Sequence, residues 1–315
     1  MTVLACDMGG TRIKTGIVSN GSILGIESID ANSGRGLAAC LPMVADTFRR
    51  LCKASGIEMS ECAGVGISFP SLFDPATGRM LDAYGKYHDA PGIDFPAWAR
   101  EEFGLPLAIE NDARAALMGE WKHGAGRGSE DIVMITLGTG IGVAAVVGGK
   151  MMRGRHGQAA VLGGHITVRH GGQLCHCGNI GCAEAEASTA FLSKLVEARD
   201  DFAQSPLKRE AVLDYDAVFK HAAADDSCAS AILRHSLEVW SSLAVSLIHV
   251  FDPEVMILGG GIMASADAIL PAVRDYVARH AHTPWGKVRI LPAELGSNAA
   301  LAAAEWLLLD QKGNS

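Results

Sequence analysis

The sequence lacks an excess of basic residues. It contains 27 Lys and Arg against 35 Asp and Glu, which gives a formal net charge of −8 at pH 7 and a pI near 5.8. Nucleic-acid-binding proteins usually carry a basic patch or stripe, so this balance argues against that class. The apolar residues before Asp7 are too few for a signal peptide, so none is expected. We therefore expect a cytoplasmic protein with no nucleic-acid partner.

No segment has the character of a membrane span. Residues 132–149 are uncharged and long enough, but five of these 18 residues are glycine and two are threonine. We interpret the segment as two buried strands around a Gly-Thr-Gly turn, and expect no membrane partner. In a reducing compartment the eight cysteines are not expected to form disulfides. A cluster of cysteines there indicates a metal site instead.

Segments of strand and helix character alternate along the chain, which predicts an α/β fold. With 315 residues, the chain is long enough for two domains. A strand, a glycine loop, a second strand and a tight turn occur twice, in residues 3–26 and 132–149. Helices are predicted for residues 37–54, 113–124, 237–251 and 298–309. The repeated pattern predicts two lobes with related cores, each contributing a glycine loop to a shared cleft.

Three glycine loops follow predicted strands, at residues 7–11, 138–142 and 259–261. Without side chains, consecutive backbone N–H groups can surround phosphate oxygens, and a helix that starts after the loop adds its positive end. None of the three fits the Lys-containing phosphate loop or the dinucleotide-binding fingerprint. A single loop of this kind is usually a tight turn. Three together, one led by the acid Asp7 that could hold Mg²⁺, indicate a site for nucleotide phosphates.

Asn111 and Asp112 stand where a predicted strand ends and a helix begins. Both residue types are preferred at helix starts, so a helix cap is one interpretation. A carboxylate at this point, kept ionised by the helix dipole, can also accept the proton of an attacking hydroxyl. That is the role of the base in phosphoryl transfer. Both interpretations remain open on these residues alone.

The spacing of His165, Cys175, Cys177 and Cys182 predicts a metal site. One imidazole and three thiolates suit a tetrahedral, structural Zn²⁺ with no open position, which argues against a zinc hydrolase. His176 is an alternative ligand to His165, and a set of reduced buried thiols is the alternative to a metal. A zinc ion here would brace the glycine-rich segment of residues 156–184. The other cysteines have core-like positions and are interpreted as small hydrophobic residues.

Taken together, these motifs resemble those of the ROK family (repressor, open reading frame, kinase), which comprises sugar kinases and related repressors on the actin-like ATPase fold. The resemblance covers essentially the whole chain. It rests on residues 7–12, 110–113, 138–142, 164–165, 175–184 and 258–261. It implies a two-lobed actin-like (ribonuclease H-like) fold with an interlobe cleft. We predict an N-terminal lobe of residues 1–112, closed by a C-terminal helix of about 298–315, and a C-terminal lobe of residues 113–297.

The resemblance also implies residue roles in an ATP-dependent sugar kinase. Asp112 would be the catalytic base, and Asn111, Glu184 and His165 would contact the sugar, a hexose phosphorylated at the 6-position. Zn²⁺ would be bound by the four residues named above. Dimers are common in the family, which implies a homodimer. ATP and Mg²⁺ would be held by Asp7, Gly9, Gly10, Thr11, Arg12, Gly138, Thr139, Gly140, Gly259, Gly260 and Gly261.

Two departures from the family pattern fall on the sugar side. Leu162 stands where the family has a Glu that bonds the sugar near its first carbon. Lys86 and His88 occupy a loop where family hexokinases tend to carry Pro and Asn. Two alternatives follow: a kinase-like protein acting on a non-standard sugar, and a non-catalytic sugar sensor. The family's repressors carry a DNA-binding winged helix before the first motif, which begins here at residue 7; we therefore do not expect DNA binding.

Overall fold

The computed structural model describes residues 1–74, 79–82 and 87–313. Its strands are β1 (Thr2–Met8), β2 (Arg12–Ser19), β3 (Ser22–Asp30), β4 (Val65–Phe69), β5 (Leu72–Phe73), β6 (Met80–Asp82), β7 (Leu107–Asn111), β8 (Ile132–Leu137), β9 (Ile141–Val147), β10 (Lys150–Met151), β11 (Val255–Gly259) and β12 (Arg289–Pro292). Its helices are α1 (Leu41–Ser55), α2 (Phe95–Phe103), α3 (Asp112–His123), α4 (Ala183–Ala187), α5 (Leu192–Glu197), α6 (Tyr215–Ala222), α7 (Ser227–Phe251), α8 (Ala266–His280), α9 (Ala299–Ala302) and α10 (Ala304–Gly313).

The chain divides into two compact units. Unit 1 consists of Met1–Gly128, Met151–Ala159 and Glu294–Ser315, and unit 2 of Ser129–Lys150 and Ala160–Ala293. The predicted lobe boundary at Asp112 differs from this division, because helix α3 packs within unit 1. Its Met118 shares a buried cluster with Leu301 and Leu307 of the C-terminal helices, and residues that bury one another stay in one unit.

The two five-stranded sheets have the same strand arrangement. One has the order β3-β2-β1-β4-β7 and the other β10-β9-β8-β11-β12. In each, a central strand (β1 or β8) pairs with an antiparallel neighbour on one side and a parallel strand on the other. The carboxyl ends of these central strands lead into the first and second glycine loops. The predicted α/β class and the prediction of related cores are therefore confirmed.

The turns at the predicted hairpins follow from their residues. Asn20 and Gly21, which join β2 and β3, have φ values of 51° and 75°. Two successive positive φ angles are the requirement of a type I′ turn, which Asn-Gly satisfies best. Residues 132–149 form β8, β9 and the Gly148–Gly149 turn after them, as predicted. None of the helices in the described ranges is both long and apolar enough to span a membrane.

Three predicted helices differ from those observed by more than one residue. The helix predicted for residues 237–251 starts earlier, at Ser227. The helix predicted for residues 37–54 starts only at Leu41, with Pro42 in its first turn. The backbone N–H groups of Leu37 and Ala38 are bound instead by the carboxylate of Asp89, at 2.5 and 2.9 Å, and so precede the helix. The last predicted helix is interrupted at one residue and forms α9 and α10. Both short helices pack on the sheet of unit 1.

Candidate functional site

The loop after β1 is a tight connection between two strands. A Cβ atom on Gly9 would lie only 2.6 Å from the carbonyl oxygen of Arg12, so a side chain is excluded at this position. The phenol of Tyr87, which is buried, donates a hydrogen bond of 2.7 Å to the carbonyl oxygen of Gly9. The hydrogen bond from Tyr87 thus anchors the backbone of the loop. Gly10 and Thr11 line a surface cavity of about 390 Å³. This geometry suits a loop that receives phosphate oxygens.

Asp7, directly before this loop, is a partly buried carboxylate. The hydroxyl of Ser68 donates a hydrogen bond of 2.7 Å to its Oδ1 atom. Burial raises the pKa of Asp7, although the Ser68 hydrogen bond and the charge of Lys14 act in the opposite direction. A poorly hydrated carboxylate gains much from a hard cation, so Asp7 fits a Mg²⁺ site. Arg12 begins β2, and its exposed guanidinium lies 3.7 Å from the carboxylate of Asp30.

The helix cap and the predicted base prove to be two different residues. The Asn111 side chain caps α3: its Oδ1 accepts hydrogen bonds from the backbone N–H groups of Ala113 and Arg114, at 3.0 and 3.3 Å. Its Nδ2 donates to the carbonyl oxygen of Ser71 and to Oδ1 of Asp112, both at 3.0 Å. Asp112 is the first residue of α3 and is exposed. The carboxylate of Asp112 is therefore oriented by Asn111 while the fold relies on Asn111 for the cap.

Beneath Asp112 lies a buried ion-pair network that the sequence did not reveal. The carboxylate of Glu110 accepts hydrogen bonds from Arg114 Nε at 2.8 Å, Arg153 Nη2 at 2.7 Å and the backbone N–H of Asn111 at 2.8 Å. Arg114 also donates to the carbonyl oxygen of Gly157, at 2.8 and 3.1 Å. Burial by itself favours the neutral acid, but the two guanidinium groups and the backbone bond hold the pKa of Glu110 below its usual value.

Replacing Glu110 with Gln should destabilise unit 1 in a pH-dependent way. The change leaves the buried guanidinium of Arg114 without its counter-charge and Arg153 with Asp310 as its remaining partner, a loss of about 3 kcal/mol at pH 7. Because the folded-state pKa is lowered, the ionised carboxylate contributes stability above its ordinary pKa of 4.5. That contribution is lost as the pH falls through the folded-state value. Urea unfolding at a series of pH values should therefore show the variant and the wild type converging in acid.

The matched control is Glu27→Gln, which breaks the exposed ion pair between Glu27 and Arg50 on the surface of the same unit. Exposed pairs contribute at most about 1 kcal/mol, so this variant should unfold almost like the wild type. Equal effects of the two substitutions, or a difference for Glu110→Gln that does not change with pH, would contradict the proposed network.

In unit 2, the glycine loop between β8 and β9 is fastened to helix α4. The Oε2 atom of Glu184 accepts a hydrogen bond from the backbone N–H of Ile141 at 3.0 Å. Beyond the other end of α4, the backbone N–H groups of Thr189 and Ala190 donate to the carbonyl oxygens of Gly138 and Thr139, at 3.1 and 3.0 Å. Glu184 was predicted to contact the sugar. One of its two carboxylate oxygens is instead hydrogen-bonded to the predicted phosphate loop.

The third predicted loop follows β11, which ends at Gly259. Gly260 has a φ of 91°, and residues 261–265 form a 3₁₀ turn that leads into α8. The chain therefore passes from a parallel strand through a glycine turn to a helix. This is the arrangement that leaves backbone N–H groups directed at a ligand.

The predicted zinc ligands come together in space. The ligand atoms of His165, Cys175, Cys177 and Cys182 all lie within 4.8 Å of one another. Nδ1 of His165 is 3.5 Å from Sγ of Cys175, and Sγ of Cys177 is 3.6 Å from Sγ of Cys182. Around a tetrahedral Zn²⁺ with bonds of about 2.0–2.3 Å, neighbouring ligand atoms are about 3.6–3.8 Å apart. The donor set and its spacing fit this ion.

His176, the alternative ligand, points elsewhere: its ring lies against Phe191, with 4.4 Å between ring centroids. The loop that carries the cluster is instead braced by Glu186, which is fully buried. Its carboxylate accepts hydrogen bonds from the backbone N–H of Gln173 at 2.5 Å and from Arg169 at 3.3 Å. It also lies 3.1 Å from Nε2 of His235 on α7. Helix α4 therefore forms hydrogen bonds, through Glu186, with the loop that carries the cysteine cluster and, through Glu184, with the glycine loop between β8 and β9.

Leu162 lies in a 3₁₀ turn of residues 161–165 that packs on β9. The turn can approach the strand because a Cβ atom on Gly164 would lie 1.9 Å from the carbonyl oxygen of Ile141. Leu162 itself is half-buried, and its aliphatic side chain offers no hydrogen bond. The second departure falls on residues 84–88: His88 is exposed, whereas Tyr84, Gly85 and Lys86 lie outside the described residues.

Four residues near the predicted sites were not found from the sequence: Arg114, Arg153, Glu186 and Ser188. Arg153 meets Glu110 across a separation of 43 residues, and Glu186 meets His235 across 49 residues. No periodic pattern records such pairings. Glu186 had one available signal, since an acid in the middle of the short alanine-rich helix α4 must be satisfied if that helix is buried.

Comparison with known proteins agrees with the geometry. The sequence model described as "ROK family" matches residues 3–311. A glucokinase of Thermotoga maritima is 31% identical over 99% of this chain and 99% of its own. A ROK hexokinase of Thermus thermophilus has 29% identity, a TM-score of 0.79, and coverage of 99% of this chain and 100% of that one. A ROK family glucokinase of Streptomyces griseus, crystallised with glucose and AMPPNP, has 28% identity, a TM-score of 0.78, and coverage of 97% and 99%.

Proposed function

Since this chain belongs to the ROK family, we propose that it is an ATP-dependent sugar kinase with Asp112 as its catalytic base. This proposal rests on the different roles of Asn111 and Asp112 at the start of α3. Asn111 caps the helix through the backbone N–H groups of both Ala113 and Arg114, whereas the exposed carboxylate of Asp112 accepts a bond from Ala113 alone, at 2.8 Å. An exposed carboxylate that its neighbours hold in one orientation is suited to proton transfer.

Loops suited to phosphate oxygens occur in both units. In unit 1 these are residues 9–11, next to Asp7, which would bind Mg²⁺. In unit 2 they are residues 138–140 and 259–261. Their backbone N–H groups, with Mg²⁺, would offset the negative charge of the triphosphate, as phosphoryl transfer requires. The AMPPNP complex of the Streptomyces griseus glucokinase supports ATP as the phosphoryl donor.

In the proposed reaction, a primary hydroxyl of a hexose or hexose-like sugar, at the 6-position, attacks the γ-phosphorus of ATP in line. The bond from that phosphorus to the β–γ bridging oxygen breaks, and ADP leaves with the electron pair. Asp112 accepts the hydroxyl proton as the new P–O bond forms. Asp112 Oδ1 accepts hydrogen bonds from Asn111 Nδ2 and from the backbone N–H of Ala113, and these two bonds would orient the carboxylate for the proton transfer.

Zn²⁺ bound by His165 and the three cysteines would have a structural role. Four protein ligands leave no position for water or substrate. The ion would fix the segment that ends at Cys182, immediately before α4 and Glu184. Because Glu184 holds the glycine loop of residues 138–141, the metal would stabilise the phosphate site from a distance.

Leu162 favours a sugar whose first carbon carries no free hydroxyl, such as a glycosidically linked or anhydro sugar. A site built to bond a hydroxyl discriminates strongly against ligands that leave the bond unmade, whereas an apolar side chain disfavours a hydroxyl that it leaves unpaired only weakly. This is the second candidate within the same function, a kinase acting on a non-standard sugar.

The test is ADP release from Mg-ATP with a panel of hexoses, N-acetyl sugars, linked sugars and anhydro sugars. We expect turnover that depends on the sugar and is highest for sugars with a substituted first carbon. In the variant Leu162→Glu, the ratio of kcat/KM for free glucose to that for the preferred sugar should rise by about tenfold or more. Leu162→Met, which keeps size and apolarity, is the control and should keep the wild-type preference.

Two outcomes would contradict parts of this proposal separately. Turnover of free glucose alone, unchanged in Leu162→Glu, would remove the argument from Leu162 but leave the kinase. Binding of ATP without turnover of any sugar in the panel would contradict the kinase itself, and would favour a non-catalytic sugar sensor.

A further inference from the structure

Ser188 carries a polar atom that the fold leaves unsatisfied. Within residues 1–74, 79–82 and 87–313, its Oγ atom is the buried side-chain polar atom that has no hydrogen-bond partner. The side chain is fully buried. A buried hydroxyl without a partner raises the free energy of the folded state, so such groups are rare and call for a specific explanation.

The local backbone does not supply that explanation. Ser188 precedes a 3₁₀ turn of residues 189–191, a position where a serine side chain commonly bonds the turn's own N–H groups. Here no such bond is made. The Ser188 backbone is nonetheless fixed, because its N–H donates to the carbonyl oxygen of Glu184 at 3.1 Å. The backbone of Ser188 is thus fixed, but its hydroxyl does not cap the 3₁₀ turn that follows.

Its position links it to the glycine loop of residues 138–141. The next two residues, Thr189 and Ala190, donate backbone hydrogen bonds to the carbonyl oxygens of Gly138 and Thr139. On the other side, Glu184 accepts a hydrogen bond from Ile141. In the sequence, Ser188 therefore lies between Glu184 and Thr189, the two sites at which residues 184–190 form hydrogen bonds with the glycine loop. Each of those carbonyl oxygens has a second lone pair that can accept another hydrogen bond.

We propose that Ser188 is a positioning residue that couples nucleotide binding to this loop. In the arrangement described here its hydroxyl is unpaired; when the loop closes on the phosphates, the hydroxyl donates to a loop carbonyl oxygen. Without nucleotide, the unpaired hydroxyl then raises the free energy of the folded protein, and nucleotide binding removes this cost. Because the hydrogen bond is made only in the bound state, it strengthens the binding of the nucleotide. This inference rests on the proposed nucleotide site, but concerns a residue that does not itself touch the nucleotide.

The test compares Ser188→Ala with the wild type by thermal unfolding, with and without the magnesium complex of AMP-PNP. Removing an unpaired hydroxyl should raise the unfolding temperature of the nucleotide-free protein by roughly 2–4 °C. The same variant should bind the nucleotide about tenfold more weakly, which appears as a smaller nucleotide-induced shift. In steady-state assays KM for ATP should rise while kcat stays close to that of the wild type.

Ser236→Ala is the matched control. Ser236 is equally buried in the same unit, but its hydroxyl is paired with the phenol of Tyr215 at 2.7 Å. This variant should lower the unfolding temperature without nucleotide and leave the nucleotide-induced shift unchanged, because it removes a satisfied hydrogen bond far from the loop in sequence.

Three outcomes would overturn the inference. A Ser188→Ala variant that is destabilised like Ser236→Ala would mean that the hydroxyl has a partner in solution, such as an ordered water. A variant that is stabilised but responds normally to AMP-PNP would mean that the unpaired hydroxyl has no link to the nucleotide. A wild-type protein with no response to AMP-PNP would contradict the proposed function as well, which distinguishes that failure from the other two.

Discussion

Asp112→Asn should reduce kcat by about 10²–10⁴-fold while the protein stays folded and KM for ATP changes little. The amide cannot accept the proton of the attacking hydroxyl, and general-base catalysis commonly contributes a factor of this size. The fold should persist because Asp112 is exposed and the cap of α3 is made by Asn111. Initial rates with saturating sugar and ATP, together with the unfolding temperature, give both quantities.

The control substitution is Asp214→Asn. Asp214 also stands at a helix start, where its carboxylate accepts a hydrogen bond from Ala217 at 2.9 Å to cap α6. Asparagine caps helices about as well as aspartate, so this variant should keep both stability and activity. If Asp112→Asn turned over sugar at a near-normal rate, Asp112 would be no more than part of a helix start, and the mechanism would need another base.

Cys182→Ala should remove the metal and with it much of the stability of unit 2. We expect one Zn²⁺ per chain in the wild type and none in the variant, measured by atomic absorption on the purified protein. A structural zinc ion contributes its binding free energy to folding, and three remaining ligands hold it far less tightly. Since Cys182 directly precedes α4, ADP release should fall with the metal content.

Cys228→Ala separates the metal from simple loss of a buried thiol. Cys228 lies in the same unit and, like Cys182, is fully buried, but it is outside the cluster. Its replacement should cost only the packing of one sulfur atom, about 1 kcal/mol, and leave the zinc content unchanged. Equal destabilisation of the two variants, with no metal in the wild type, would identify the cluster as reduced thiols.

The elements that were predicted correctly are those that depend on residues close together in the sequence. The Asn20–Gly21 turn and the β8–β9 hairpin follow from residues that adopt only a few backbone conformations. The cluster of His165 and three cysteines follows from the spacing of soft donors, and the structure brings these four side chains together, while their role as metal ligands stays a prediction. For the same reason, the choice between His165 and His176 remained open until the structure placed His176 against Phe191.

The elements that were not predicted depend on contacts between distant segments. Nothing around Glu110 indicates that Arg153 pairs with it, or that Arg153 also binds Asp310 across 157 residues. The boundary predicted at Asp112 differs from the observed division of the chain for a related reason. The residues of α3 can be assigned to a unit only when the C-terminal helices that cover them are known. The unpaired hydroxyl of Ser188 is a property of packing, which no sequence pattern records.

The two units differ in how late their parts become available during synthesis. Unit 2 is complete once Ala293 has been made, whereas unit 1 still needs the segment from Glu294 onward. That segment supplies Leu301 and Leu307 to the cluster that also contains Val3 and Ala5 of β1. In the order of the chain unit 2 is therefore completed first, although unit 1 begins earlier. Part of the apolar surface of the first strand stays uncovered until that last segment has docked, and exposed apolar surface of this kind is where an incomplete chain is prone to aggregate.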